Sequence, residues 1–204
     1  MSHEQHSRAH DDLSGATLAA VTAIVDRALD EDAPWGDASS EAAIPASATA
    51  TARIVSRVDG VFAGGLPLEL SFTRVDPTLV VERHLADGDP LTPGAVVATI
   101  TGSARSILRG ERVALNLAQR LSGVATLTRR YVDAVAGAAS ASGSPVRLVD
   151  TRKTTPGLRV LEKAAVSAGG GHNHRFSLSD AVMLKDNHLA VLREQGLDLT
   201  GAIR

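Results

Sequence analysis

Three short motifs concentrate the residues of this chain that could do chemistry. They are Asp150-Thr151-Arg152-Lys153-Thr154-Thr155-Pro156-Gly157, Gly169-Gly170-Gly171-His172-Asn173-His174-Arg175 and Lys185-Asp186-Asn187-His188. The chain has three lysines, Lys153, Lys163 and Lys185, and all three fall in this stretch; its other basic side chains are arginines. A compact, flexible ammonium and a rigid planar guanidinium are not interchangeable, so sparing use of lysine points to places that need one. Arg152, Lys153, Arg175 and Lys185, with His174 beside them, would repel one another unless an anion neutralised them. Arginine holds carboxylate or phosphate in a two-pronged fork, and lysine meets phosphate as a point charge. The motifs therefore point to a heavily anionic small molecule. The competing expectation is that individual cations pair with Asp150, Glu162, Asp180 or Asp186. The three glycines would let backbone lie close to a ligand.

These motifs need elements to hold them. The apolar run 146–149 ends in the first motif, and the apolar run 181–184 ends in the third. Residues 158–168 read as a helix between them, and another helix is expected to start near Leu199. Charged side chains at the C-terminal ends of buried strands are the arrangement of a β/α barrel. Before a small-residue linker at 138–145, residues 111–136 read as a long helix with Val113, Leu117, Leu121, Val124, Leu127 and Tyr131 on one face. Arg112 would then sit in its first turn, where the helix dipole disfavours a cation. It is either an exposed arginine with a small electrostatic penalty or one aimed at an anion.

The N-terminal half is patterned differently. Asp11 or Asp12 can cap a helix carrying Leu18, Val21, Ile24, Val25 and Leu29. Trp35-Gly36-Asp37 reads as a turn. Short β-rich runs at 53–58, 79–84 and 96–100, separated by Asp59-Gly60, Gly64-Gly65, Asp87-Gly88-Asp89-Pro90 and Pro93-Gly94, predict a small antiparallel unit. Gly88-Asp89-Pro90, Gly94 and Gly102 resemble half of a biotinyl or lipoyl carrier sandwich. Such carriers need a lysine, and there is none before Lys153. The expected division is a disordered stretch at 1–12, a helix plus β-sheet domain at 13–110 and a barrel-like part at 111–204.

Composition narrows the partners. The chain has 204 residues, is 44% hydrophobic and 22% charged, and carries a net charge of −2. That balance gives no reason to expect nucleic acid or an anionic membrane. Aromatics are 2%, too few for base-stacking platforms. The absence of cysteine removes thiolate metal sites and thiol nucleophiles and fits a reducing cytoplasm. No apolar run approaches the ~18 residues of a membrane span. His3, His6 and His10 lie in a polar start that reads as a frayed terminus rather than a metal site.

Taken with Glu111-Arg112 and Leu121-Ser122-Gly123, and with Glu31-Asp32 and Gly36-Asp37 upstream, the motifs resemble those of the quinolinate phosphoribosyltransferases in order and spacing. The resemblance runs from about Ala28 to the end. It implies the fold class α/β, with an N-terminal open antiparallel β-sandwich (α+β) followed by the first part of an incomplete β/α barrel. It implies transfer of the phosphoribosyl group of phosphoribosyl pyrophosphate to quinolinate with decarboxylation, a step of NAD biosynthesis. Arg112, Arg152, Lys153, His174, Arg175 and Lys185 would bind substrate, with Lys153 and Lys185 nearest the donor as the catalytic pair. Arg112 would reach a neighbouring subunit's site in a homodimer or larger assembly. Mg²⁺ would be required, its acidic ligands expected beyond Arg204. On that basis the 204-residue chain is expected to be a fragment, inactive alone, since a barrel takes ~200 residues. Other readings remain open. One is a related phosphoribosyltransferase with another aromatic acceptor; another is a Schiff-base aldolase using Lys185. A third is a chain that only dimerises through the 111–136 helix.

Overall fold

In a computed structural model of the protein, residues 15–139, 143–198 and 200–201 are described. The element order is α1 (Gly15–Asp32), α2 (Ala38–Ala43), β1 (Thr49–Val55), β2 (Gly60–Val61), α3 (Gly65–Thr73), β3 (Val80–Arg83), β4 (Pro90–Leu91), β5 (Val96–Ser103), α4 (Ala104–Ala134), α5 (Arg159–Ala168) and α6 (Asp186–Glu194). Two units divide the chain, Met1–Asn173 and His174–Arg204.

Within the first unit, β5 is the middle of a three-stranded antiparallel sheet of order β1-β5-β3. Thr49 faces Ser103 and Ala52 faces Ile100, and the register slips between Ile54 and Val55. On the other side Val80 faces Thr101 and Arg83 faces Ala98. Strands β2 and β4 form a separate antiparallel pair. The antiparallel unit expected from residues 48–107 is therefore present, with its three main runs near the expected places.

One helix organises the packing. Ser103 caps α4 by accepting from the Ser106 amide, and the 31 residues that follow rise about 46 Å. Val113, Leu117, Leu121 and Ala125 join Val21, Ile24, Val25 and Leu29 of α1 and Leu161 and Ala165 of α5 in one core. Ile107, Ala114 and Ala118 turn into a second core with Phe62, Leu68, Phe72, Val97 and Ile100. Two adjacent stripes of one helix thus serve two clusters.

Several expectations are corrected. The long helix begins at Ala104, not near residue 111, so Arg112 lies more than two turns inside it. The dipole acts on the terminal turn and leaves Arg112 untouched. Leu127 and Tyr131 are 53% and 57% exposed, so the apolar stripe does not continue through them. The buried face instead runs through the small residues Ala125 and Thr128. The glycine motif explains the switch: a Cβ on Gly169 would stand 2.4 Å from the Ala125 carbonyl oxygen, and one on Gly171 would stand 2.9 Å from Thr128 Cγ2. Gly170 has φ +88°, a conformation L side chains rarely adopt. These glycines serve helix packing and a turn, a use that the sequence reading did not include.

Helix α3 was not foreseen, because Gly64-Gly65 reads as a break. Gly64, at φ 101°, is the N-cap itself, and Asp87 accepts from the amides of Gly64 and Gly65 at 3.1 and 2.9 Å. Pro67 falls in the first turn, where its missing N–H has no intrahelical partner to lose. The runs 146–149 and 181–184 form no ladder among the described residues. The first makes a single parallel bridge, Val149 with His172. In the second, Val182 is 89% exposed. A strand needs a neighbour along its length, and neither run has one here. The caps expected at Asp11 or Asp12, the frayed terminus and the helix start at Leu199 lie outside the described residues.

Two helical glycines separate packing from propensity. Gly110→Ala puts a Cβ 2.8 Å from the Ser71 carbonyl oxygen and 2.9 Å from Phe72 Cδ1. It should destabilise the protein by about 1–3 kcal/mol. A Cβ at Gly123 meets nothing within 4 Å. Gly123→Ala should stabilise by about 0.5–1 kcal/mol. Urea denaturation of the two variants checks both signs.

Candidate active site

The first motif forms a stitched turn after the Val149–His172 bridge. The Asp150 amide donates to the His172 carbonyl at 3.0 Å, and the His172 amide donates to Leu148 at 2.8 Å. The Lys153 amide then donates to Thr151 Oγ1 at 3.0 Å, and the Thr154 amide to the Arg152 carbonyl at 3.0 Å. Arg159, in the first turn of α5, donates to Thr154 Oγ1 at 3.2 Å and to the Arg152 carbonyl at 3.4 Å. Local turn bonds and a helix N-terminus therefore hold the backbone that carries Arg152 and Lys153.

Two acids near this turn are already engaged. Asp150 Oδ1 is 2.6 Å from Lys163 Nζ, and both side chains are almost wholly buried. Glu162 Oε1 accepts from Arg120 Nε and Nη2 at 3.0 and 2.7 Å, and Glu162 Oε2 accepts from the Thr155 amide at 3.0 Å. Arg120 Nη2 also donates to Thr155 Oγ1. Burial alone would push the Glu162 carboxyl up. The Thr155 amide and hydroxyl and the Arg120 guanidinium outweigh it and hold the carboxyl below the ordinary glutamate value.

The four expected cations find no carboxylate among the described residues. Among the described residues, no ion pair involves Arg152, Lys153, Arg175 or Lys185. Arg152 Nε–H is buried and has no hydrogen-bond partner. A buried charged donor without an acceptor is costly, and an anion bound there would remove the penalty. Lys153 is exposed on the same turn. Arg112 is exposed on α4, about 12 Å along the axis from Arg120.

His174, Arg175 and Lys185 belong to the second unit. His174 is exposed. Arg175 donates to the Ala181 carbonyl at 2.8 Å and approaches Met183 Sδ at 3.5 Å, closing its own loop. Asp180 is turned inward on that loop, accepting from the amides of Phe176 and Ser177. Lys185 is the N-cap of α6, and its amide donates to His188 Nδ1 at 3.0 Å. His188 is thus a capping residue, and Asp186 places negative charge in the first turn, where the dipole favours it.

Arg120 and Glu162 were missed as a pair, because 42 residues separate them and no local pattern links them. The burial of Lys163 was missed too, although its membership of a set of three lysines marked it. A cleft of about 1080 Å³ opens between β1 and α4, touching Arg53, Val58, Phe62, Ser122 and Arg130. Ser122 and Gly123 line it, and no residue of the three cationic motifs does. Among the described residues there is no cluster of three or more His, Cys, Asp or Glu that could cage a metal ion. No helix there is long and apolar enough to cross a membrane.

The N-terminal domain model of quinolinate phosphoribosyl transferase matches residues 37–122, and the C-terminal domain model matches residues 124–200. The chain belongs to the quinolinate phosphoribosyl transferase family. It is 46% identical over 160 residues to the probable nicotinate-nucleotide pyrophosphorylase [carboxylating] of Bacillus subtilis, covering 78% of this chain and 53% of that one. It is 42% identical over 168 residues to quinolinate phosphoribosyltransferase [decarboxylating] 1 of Nicotiana glauca, covering 82% and 46%. The crystal structure of NadC from Streptococcus pyogenes, 40% identical, superposes with a TM-score of 0.82 over 94% of this chain and 64% of that one. The chain spans about half the length of the curated relatives it matches.

Within this family frame the Glu162 cluster makes a pH prediction. A carboxyl with a depressed native pKa adds stability above its unfolded value, about 4.3 for glutamate, and loses it as pH falls through the native value. Wild type should therefore lose more stability than Glu162→Gln between pH 7 and pH 3. Asp37 and Asp76, also depressed by hydrogen bonds, are common to both proteins and cancel in the difference. Parallel stability–pH curves for the two proteins would contradict the assignment.

Proposed function

We propose that this chain carries part of the machinery that transfers phosphoribose from phosphoribosyl pyrophosphate to quinolinate, with loss of carbon dioxide. The products are nicotinate mononucleotide, pyrophosphate and carbon dioxide. The observation that carries the reading is the buried Arg152 Nε–H without an acceptor, on a turn whose neighbouring carboxylates are taken by other residues. Quinolinate brings two carboxylates, and a guanidinium edge can hold one of them through two parallel hydrogen bonds.

In this reading Arg112, Arg152, His174 and Arg175 bind quinolinate, and Lys153 and Lys185 act on the donor as well. The ring nitrogen forms a bond to the anomeric carbon as the bond to pyrophosphate breaks. Its barrier falls through positioning and through cations that meet charge developing on the leaving group. The quaternised ring nitrogen then stabilises the electron pair left on the adjacent carbon when its carboxylate departs. A proton from solvent completes that carbon. The described residues offer no carboxylate and histidine cage for the Mg²⁺ that the reaction implies. The reading also carries an N-terminal open sandwich, a barrel opening at the parallel Val149–His172 bridge, and a cytoplasmic homodimer in which Arg112 reaches the neighbouring site.

Calorimetric titration of quinolinate into this chain tests the proposal. Binding is expected, and Arg152→Ala should weaken it by roughly 10- to 160-fold, the loss of a charge-assisted pair worth about 1.5–3 kcal/mol. Arg112→Ala should weaken it only if the dimer forms. Saturable binding of equal strength in wild type and Arg152→Ala would remove Arg152 from the site.

A further inference from the structure

Lys163 is the buried member of the lysine set. It is 3% exposed, and its Nζ lies 2.6 Å from Asp150 Oδ1. Taking two charges out of water is repaid only by good geometry and further hydrogen bonds, and a well-packed apolar pair is often at least as stable. The further bonds are present. With the Asn173 amide turned so that its nitrogen faces Asp150, it donates to Asp150 Oδ2 at 2.7 Å and to the Lys163 carbonyl at 3.0 Å, and its oxygen accepts from Ser167 Oγ at 3.2 Å. One lysine and one carboxylate therefore tie together three segments. These are the residue before Thr151-Arg152-Lys153, the middle of α5, and the end of the glycine motif.

The ties reach Arg152 and Lys153 without a break. Asp150 is fixed by its side chain to Lys163 and by its amide to His172. From there the Thr151–Lys153 and Arg152–Thr154 bonds carry the position forward. An apolar pair would fill the space but would not direct the carboxylate at both Lys163 and Asn173.

We propose that Lys163 is a positioning residue: its buried ion pair with Asp150 sets the path of the Thr151-Arg152-Lys153 turn, so that both cations stand ready for an anionic ligand that Lys163 itself does not touch. The consequence for ligand affinity rests on the quinolinate reading above; the setting of the turn does not.

Labelling with ¹⁵N-lysine places one backbone amide signal on each of Lys153, Lys163 and Lys185, a spectrum small enough to assign by substitution. In Lys163→Met, without ligand, the Lys153 signal should move or broaden. The double variant Asp150→Leu/Lys163→Met replaces the pair by apolar side chains and guards against misfolding of the single one. It should recover thermal stability yet keep the displaced Lys153 signal and bind quinolinate roughly ten- to a hundredfold more weakly than wild type. A Lys153 signal at its wild-type position in the double variant overturns the proposal, as does full recovery of quinolinate affinity along with stability. If wild-type Lys153 ignores quinolinate, the substrate reading fails, while the ligand-free Lys153 signal still decides the role of Lys163.

Discussion

Helix α4 has to be buried on two sides at once, and most of the first unit follows from that constraint. Val113, Leu117 and Leu121 face α1 and α5, while Ile107, Ala114 and Ala118 face the sheet and α3. Both clusters need the helix straight and continuous, so it cannot break near Gly110 or Gly123 although glycine weakens helices. At Gly110 the missing side chain lets the helix approach Ser71 and Phe72 of α3. At its far end α4 offers Ala125 and Thr128 to the glycine motif, which brings the loop before His174 against the same helix. The motif turn and the core thus share one support.

Sequence periodicity made some of this legible. The helices at 15–32 and 159–168, the three main strand runs and the upper stripe of α4 follow simple apolar spacing. The misses have physical causes. Tracking large side chains led off the true face of α4 at Leu127, because the buried positions beyond Leu121 are occupied by small residues that admit another backbone. Gly64-Gly65 looked like a break because a glycine N-cap and a helix-breaking turn have the same local composition. The runs at 146–149 and 181–184 are apolar enough for strands, but strand formation depends on a neighbour that local pattern cannot supply.

The cationic residues stood out in the sequence, and the groups that surround them did not. Residue type marked Arg152, Lys153, Arg175 and Lys185 with His174 beside them, helix position raised Arg112, and family resemblance supplied their expected roles. Which acids neutralise which bases is a long-range matter. Glu162 is taken by Arg120 across 42 residues and Asp150 by Lys163 across 13. Asp180 turns to its own loop amides. That allocation leaves Arg152 with a buried donor and no acceptor.

Scarcity of lysine therefore has two meanings in this chain. Lys153 and Lys185 are exposed, one on a motif turn and one at a helix N-cap, and an ammonium there is free to follow phosphate oxygens. Lys163 is buried, with its ammonium against the Asp150 carboxylate. A guanidinium at that position would bring five donors in a rigid fork, and any left unmet there would be as costly as the one on Arg152. The difference is that the Arg152 donor lies on a turn of a candidate site. The Lys163–Asp150 pair lies beneath it, matched internally and able to hold its shape whether or not a ligand is bound.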